Sequence, residues 1–139
     1  MKLYLSGPMT GYEDYNRAMF RAVAQELRLQ GHEIVSPVEL DTDSIHDEIL
    51  QDGYEAVWRK CLLRDLEAIL SSDFDGLALL PGWQKSRGAQ LEAMAAYAVG
   101  IPLFDALTLR RLPCRPCWAF EPAPEKKQEV HHARKVSPQ

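Results

Sequence analysis

The run Leu80-Pro81-Gly82-Trp83-Gln84-Lys85-Ser86-Arg87-Gly88-Ala89-Gln90-Leu91-Glu92, continued through an alanine-rich segment to Gly100, decides how the chain is read. An apolar strand ends at Leu80, a loop punctuated by Pro and Gly follows, and a helix starts at Ser86 and stops at Gly100. A serine hydroxyl at the N-cap accepts from a free amide of the first turn, and a glycine past the last turn enters the left-handed region easily, so both helix ends are marked. Between Arg87 and Asp105 the only charged residue is Glu92. Its neighbours three and four residues away are Gly88, Ala89, Ala95 and Ala96, which offer no ion pair and leave room for a ligand. Two readings stay open. Glu92 is a helix-favouring residue on a wet face, or it faces a pocket where the positive end of the helix dipole favours the ionised form that a nucleophile needs.

Working outward, residues 73–80 form a nearly continuous apolar strand of the kind found at the centre of a parallel sheet. Lys2 to Ser6 is another, and it ends abruptly in Gly7-Pro8-Met9-Thr10-Gly11. From Asp14, the residues Phe20, Val23, Ala24 and Leu27 recur at helical spacing until Gly31. Glu33 to Pro37 reads as a second strand and Ile101 to Phe104 as the fourth. Strand and helix alternate, which predicts an α/β fold: a Rossmann- or flavodoxin-like open parallel sheet with helices on both faces and right-handed crossovers. Ligands of such folds sit at the carboxyl ends of the strands. That rule draws the loops after the first and third strands, together with the start of the Ser86 helix, to one crevice. The first glycine loop either presents its amides and the Ser6 and Thr10 hydroxyls to a phosphate or sugar, or is a plain tight turn; it matches neither a P-loop nor a dinucleotide fingerprint.

Tyr54 to Ser71 reads as a helix with Trp58, Cys61, Leu62, Leu66 and Ile69 on one arc and Lys60, Arg64 and Glu67 opposite. Asp65 falls in the middle of the apolar arc. Burying a carboxylate without a partner costs several kcal/mol, roughly, so Asp65 either bonds to neighbouring backbone or points into a pocket as a proton donor or ligand-orienting acceptor. The acidic segment from Val38 to Gly53 shows no clear period and reads as a long loop, a functional flap or disordered, whose carboxylates do not fit an EF-hand.

Composition bounds the rest. The 139 residues, 46% of them hydrophobic, suffice for one compact domain, placed at residues 1–108, with a Pro-rich, polar, partly ordered extension over 109–139. A net charge of -4 argues against a general nucleic-acid binder. No apolar run approaches the ~20 residues of a membrane span, and no signal-peptide pattern opens the chain, so the expected setting is cytoplasmic, with no membrane partner. Three cysteines make no disulfide framework. Cys114-Arg115-Pro116-Cys117 has the spacing of half a zinc site or a redox pair, but His131 and His132 are adjacent, which leaves a surface or dimer-contact role ahead of metal binding.

Four spaced blocks carry a resemblance. Tyr4-Leu5-Ser6-Gly7-Pro8-Met9-Thr10-Gly11, Arg64-Asp65-Leu66, Leu80-Pro81-Gly82-Trp83, and Ser86-Arg87-Gly88-Ala89 with Glu92 resemble the nucleoside 2-deoxyribosyltransferase superfamily over residues 2–105. Its small phage- and bacterium-encoded members of undefined function look most similar. The resemblance implies cleavage of the N-glycosidic bond of nucleosides or nucleotides, as hydrolase or base-exchange transferase, with Glu92 as nucleophile, Asp65 assisting at the base or sugar, and Tyr4 beside the nucleophile. It implies substrate binding by the loop Ser6, Gly7, Pro8, Met9, Thr10 and Gly11, with Asn16 behind it. On the other lip it implies Trp83, Ser86 and Gly88. The transferases carry an aspartate six residues before the nucleophile; Ser86 stands there, as in the branch that hydrolyses 2′-deoxynucleoside 5′-monophosphates, whose serine and first glycine loop contact the phosphate. That branch's loop arginine is missing here. No metal or cofactor is implied, and a homodimer or higher oligomer is. Trp83 or Trp58 stacks on a base or is plain core. The competing readings are a nucleotide sensor that binds without cleaving and a docking protein that uses the acidic loop and tail.

Overall fold

The computed structural model describes residues 1–113. Four parallel strands lie in the order β2-β1-β3-β4, with β1 Lys2–Ser6, β2 Glu33–Val35, β3 Gly76–Leu79 and β4 Leu103–Asp105. The helices are α1 Arg17–Leu29, α2 Pro37–Leu40, α3 Ile45–Asp52, α4 Tyr54–Ser71 and α5 Arg87–Ala98. Side chains alternate across a strand, so each strand feeds two cores. Leu3, Leu5, Ala78 and Leu80 pack with Phe20, Val23, Ala24 and Leu27 of α1. Tyr4, Leu77, Leu79 and Leu103 pack with Ile69 of α4 and Ala89, Ala93 and Ala96 of α5. Helices therefore cover both faces, and the α/β class expected from the sequence is the class observed.

The segment from Val38 to Gly53 departs from the expected loop: it holds α2 and α3. Pro37 does not end a strand but opens α2, at the first helical position where its missing N–H has no intrahelical partner to lose. In α3, Ile45 and Ile49 stand one turn apart and line the cleft beside α4, while the Thr42 and Ser44 hydroxyls donate to Glu48 Oε1 at 2.8 and 3.1 Å. Three apolar residues in eight, one of them the exposed Leu50, are too few to read as a period. The first helix starts at Arg17 and not at Asp14. Asp14, Tyr15 and Asn16 hold φ values of 45°, 54° and 62° in a 3-10 turn, and left-handed backbone cannot run on into a right-handed helix.

One close approach sets the cleft. Gly7 comes so close to Leu80 that a Cβ on it would lie 2.7 Å from the Leu80 Cβ, which is how the loops after β1 and β3 meet. On the far edge of the sheet, Leu112 N–H donates to the Leu103 carbonyl at 2.8 Å, and Arg111 bridges Phe104. Cys114, Cys117, His131, His132 and the rest of the expected extension lie outside the described residues.

Candidate active site

A cavity of about 390 Å³ opens at the carboxyl ends of β1 and β3. Its floor holds both acids singled out in the sequence. Glu92 reaches it from the second turn of α5, whose start is fixed by Ala89 N–H donating to Ser86 Oγ at 3.3 Å. Asp65 reaches it from the middle of α4. Their residues are 6% and 7% exposed, so two buried carboxyls share one site.

Their surroundings differ. Glu92 accepts one hydrogen bond, from Ser6 Oγ to Oε2 at 3.3 Å. Burial pushes its carboxyl well above the ordinary 4.5, and the negative potential of Asp65 adds to that, against the Ser6 bond and Arg64. The helix dipole, worth ~0.3–1 kcal/mol in favour of the ionised form, works against this shift, which burial dominates. Asp65 is also pushed up by burial, but Arg64 opposes the shift. Arg64 donates Nε and Nη2 to Asp65 Oδ1 at 2.9 and 2.7 Å, and Nη1 to Asp41 Oδ1 at 2.8 Å. Asp41, between α2 and α3, also meets Arg17 Nη2 at 3.7 Å. The Tyr4 hydroxyl lies beside Asp65 yet meets no partner at hydrogen-bond geometry; burial, then Glu92 and Asp65, push the phenol far up. The expected Tyr4 grip on Glu92 is thus replaced by the Ser6 hydroxyl.

Of the other expected site residues, Gly7, Pro8, Met9, Thr10, Ser86 and Gly88 line the cavity with the two acids. Five do not. Tyr4 and Ser6 are fully enclosed under the floor, Ser6 being spent on Glu92. Gly11 stands in open space on the outer side of its turn. Asn16 donates its amide to the Pro8 carbonyl at 2.9 Å and so braces the loop from behind. Trp83 is 5% exposed in the α5-side core, and the tryptophan at the cavity wall is Trp58, with the Arg87 guanidinium 3.7 Å from its ring centroid.

Sequence reading missed several wall residues. Tyr54 hydrogen-bonds Thr10 through the two hydroxyls and stacks on Tyr15 with centroids 6.5 Å apart. Arg64, put by its wheel position on the polar side, folds back along α4 on its flexible stem, as long cationic side chains do. Asp41 meets it from a distant segment and is met in turn by Arg17, and no local pattern marks such a chain of partners. Among the described residues no group of three or more His, Cys, Asp or Glu side chains is arranged to hold a metal ion, and no helix is long and apolar enough to cross a membrane.

A family model described as "Domain of unknown function (DUF4406)" matches residues 1–105. No curated protein matches the chain. Among solved structures, a 2-deoxyribosyltransferase from the psychrotolerant bacterium Bacillus psychrosaccharolyticus is similar at 23% identity and a TM-score of 0.52, over 94% of this chain and 90% of that one. That protein is described as a biocatalyst for the synthesis of antiviral and antitumoral nucleosides. The likeness shows a shared fold.

Proposed function

The chain belongs to the DUF4406 family, and from that premise and the cleft we propose that it cleaves the N-glycosidic bond of nucleosides or their 5′-monophosphates, with Glu92 as nucleophile. The observation that carries the reading is the meeting of Glu92 and Asp65, from different helices, on the floor of one cavity. The fold shared with a 2-deoxyribosyltransferase supports it. A cavity of about 390 Å³ suits a small molecule, whose class of pocket spans roughly 300–1,000 Å³.

The reaction starts with one proton on the carboxyl pair, assigned to Glu92, whose buried carboxyl accepts only the Ser6 hydroxyl while Asp65 is bonded by Arg64. Attack requires that this proton leave, and the departing base needs one. The proton passes by way of Asp65 to the base as the C1′–N bond breaks and a bond forms from a Glu92 oxygen to C1′. Charge balances: an acid and a carboxylate become a glycosyl ester and a carboxylate, and a neutral base leaves. Water then attacks C1′, the ester bond breaks, and the proton of water returns to the carboxyl pair; a second base in place of water gives exchange. Ser6 orients Glu92, Trp58 and Tyr54 flank the base, and Thr10, Ser86 and Lys85 receive the 5′ end. Exposed Leu91, Met94 and Tyr97 on α5 support assembly with further copies, which light scattering tests.

Incubation with a panel of nucleosides and monophosphates, followed by chromatography, is expected to show free base. Glu92→Ala is expected to abolish release and leave binding nearly intact. Release that survives the change means that another group is the nucleophile, and ligand-induced stabilisation with no release in the unaltered protein points to the sensor.

A further inference from the structure

We propose, resting on the glycosidase reading, that Arg64 anchored by Asp41 is a positioning residue: it keeps Asp65 as the anion of the carboxyl pair and leaves the mobile proton to Glu92. Adjacent residues on a helix diverge by about 100°, so Arg64 reaches its neighbour only by turning back along α4. It is held there from two sides. Nε and Nη2 lie on Asp65 Oδ1, Nη1 lies on Asp41 Oδ1, and Nη2 also points to the Pro37 carbonyl at 3.4 Å. The guanidinium plane is fixed by these contacts, and a planar fork of N–H groups is what makes arginine suited to such a post.

Asp41 is itself tied down. Its side chain is 6% exposed and takes Arg17 as well as Arg64. The buried part of the cleft therefore sets two guanidinium groups against three carboxyls, those of Asp41, Asp65 and Glu92. Arg17 also lies 3.9 Å from the exposed Asp14. Asp41 and Asp65 both hold an arginine, and Glu92 holds the Ser6 hydroxyl alone. The other titratable groups facing Asp65 and Arg64 are Tyr4 from β1 and Cys61, one turn back on α4; burial raises both, so both are neutral at neutral pH. The proton belongs where the cation is not. Without Arg64, Asp65 competes for that proton and the relay to the departing base loses its direction.

The test is a carboxyl ¹³C NMR titration of the full chain, with the Asp65 signal assigned from its loss in Asp65→Asn. Unaltered protein is compared with Arg64→Met, Arg64→Lys and Asp41→Asn. The Asp65 titration is expected to move to higher pH in Arg64→Met, least in Arg64→Lys and part of the way in Asp41→Asn. Base release is expected to fall up to roughly 100-fold in kcat for Arg64→Met, the scale of a misplaced catalytic group, with KM little changed and partial recovery in Arg64→Lys. An Asp65 titration that stays put in all three variants overturns the proposal, whether or not the rate falls. Should Arg64→Met fail to fold, the other two carry the titration. If Asp65 moves as expected while the unaltered protein releases no base from any substrate, the glycosidase reading fails and the role of Arg64 stands.

Discussion

The two faces of the sheet are built from the same strands and do different work. On the α1 face, Leu3, Leu5, Ala78 and Leu80 meet Phe20, Val23, Ala24 and Leu27, and this buried cluster holds no ionisable side chain. On the α4/α5 face, the alternate residues Tyr4 and Ser6 lie under Asp65 and Glu92. One face holds the fold together and the other accepts the cost of two enclosed acids. The pleat allows this division, because a shift of one residue along a strand moves a side chain from one environment to the other.

Three substitutions test the division, taken from the largest effect on stability to the smallest. Phe20→Ala removes a fully buried ring from the α1 face and is expected to cost about 3–5 kcal/mol, measured by urea unfolding, with activity per folded molecule unchanged. Activity lost in proportion to nothing but folding keeps the faces separate; a changed kcat in the folded fraction joins them. Glu92→Gln is expected to do the reverse. Because burial raises the Glu92 carboxyl, the folded chain keeps this proton when the unfolded chain has released it, so the group's contribution to stability declines as pH rises above 4.5. Glutamine removes that dependence. The variant is expected to gain on the order of 1 kcal/mol near pH 7 by thermal melting, with the advantage closing as pH falls towards 4.5, and to release no base. Glu39→Gln is the smallest. Arg28 donates to both Glu39 oxygens at 2.6 Å and lowers its carboxyl, so this support is present above 4.5 and fades as pH falls. The pair is nearly half exposed, which limits the expected loss at pH 7 to about 0–1 kcal/mol, less in high salt.

The same division explains what was legible in the sequence. β1 could be read to the residue because its apolar run stops at Gly7-Pro8, and α5 because a capping serine and a closing glycine mark its ends. Glu92 stood out as a charge among alanines and Asp65 as a charge in an apolar arc, and both signals are local. α2 and α3 were not legible, since four- and eight-residue helices with few apolar residues owe their form to the surface they pack on. Neither were the partners of the acids. Whether a carboxyl meets Ser6, 86 positions away, or an arginine pinned by Asp41, 23 positions away, depends on which segments the topology brings together. The tryptophan at the wall was undecidable for a like reason: Trp83 and Trp58 both flank the cleft in sequence, and packing alone sends Trp83 inward.

Gly7 and Leu80 give the cleft a mechanical property. A side chain at position 7 would collide with Leu80 at 2.7 Å from its Cβ and 3.0 Å from Cδ1, so this lip of the cleft cannot grow without moving the core behind it. For anyone reshaping this opening by mutagenesis, a larger residue at position 7 therefore costs packing in the α1-side core, and it needs a smaller residue at 80 to make room.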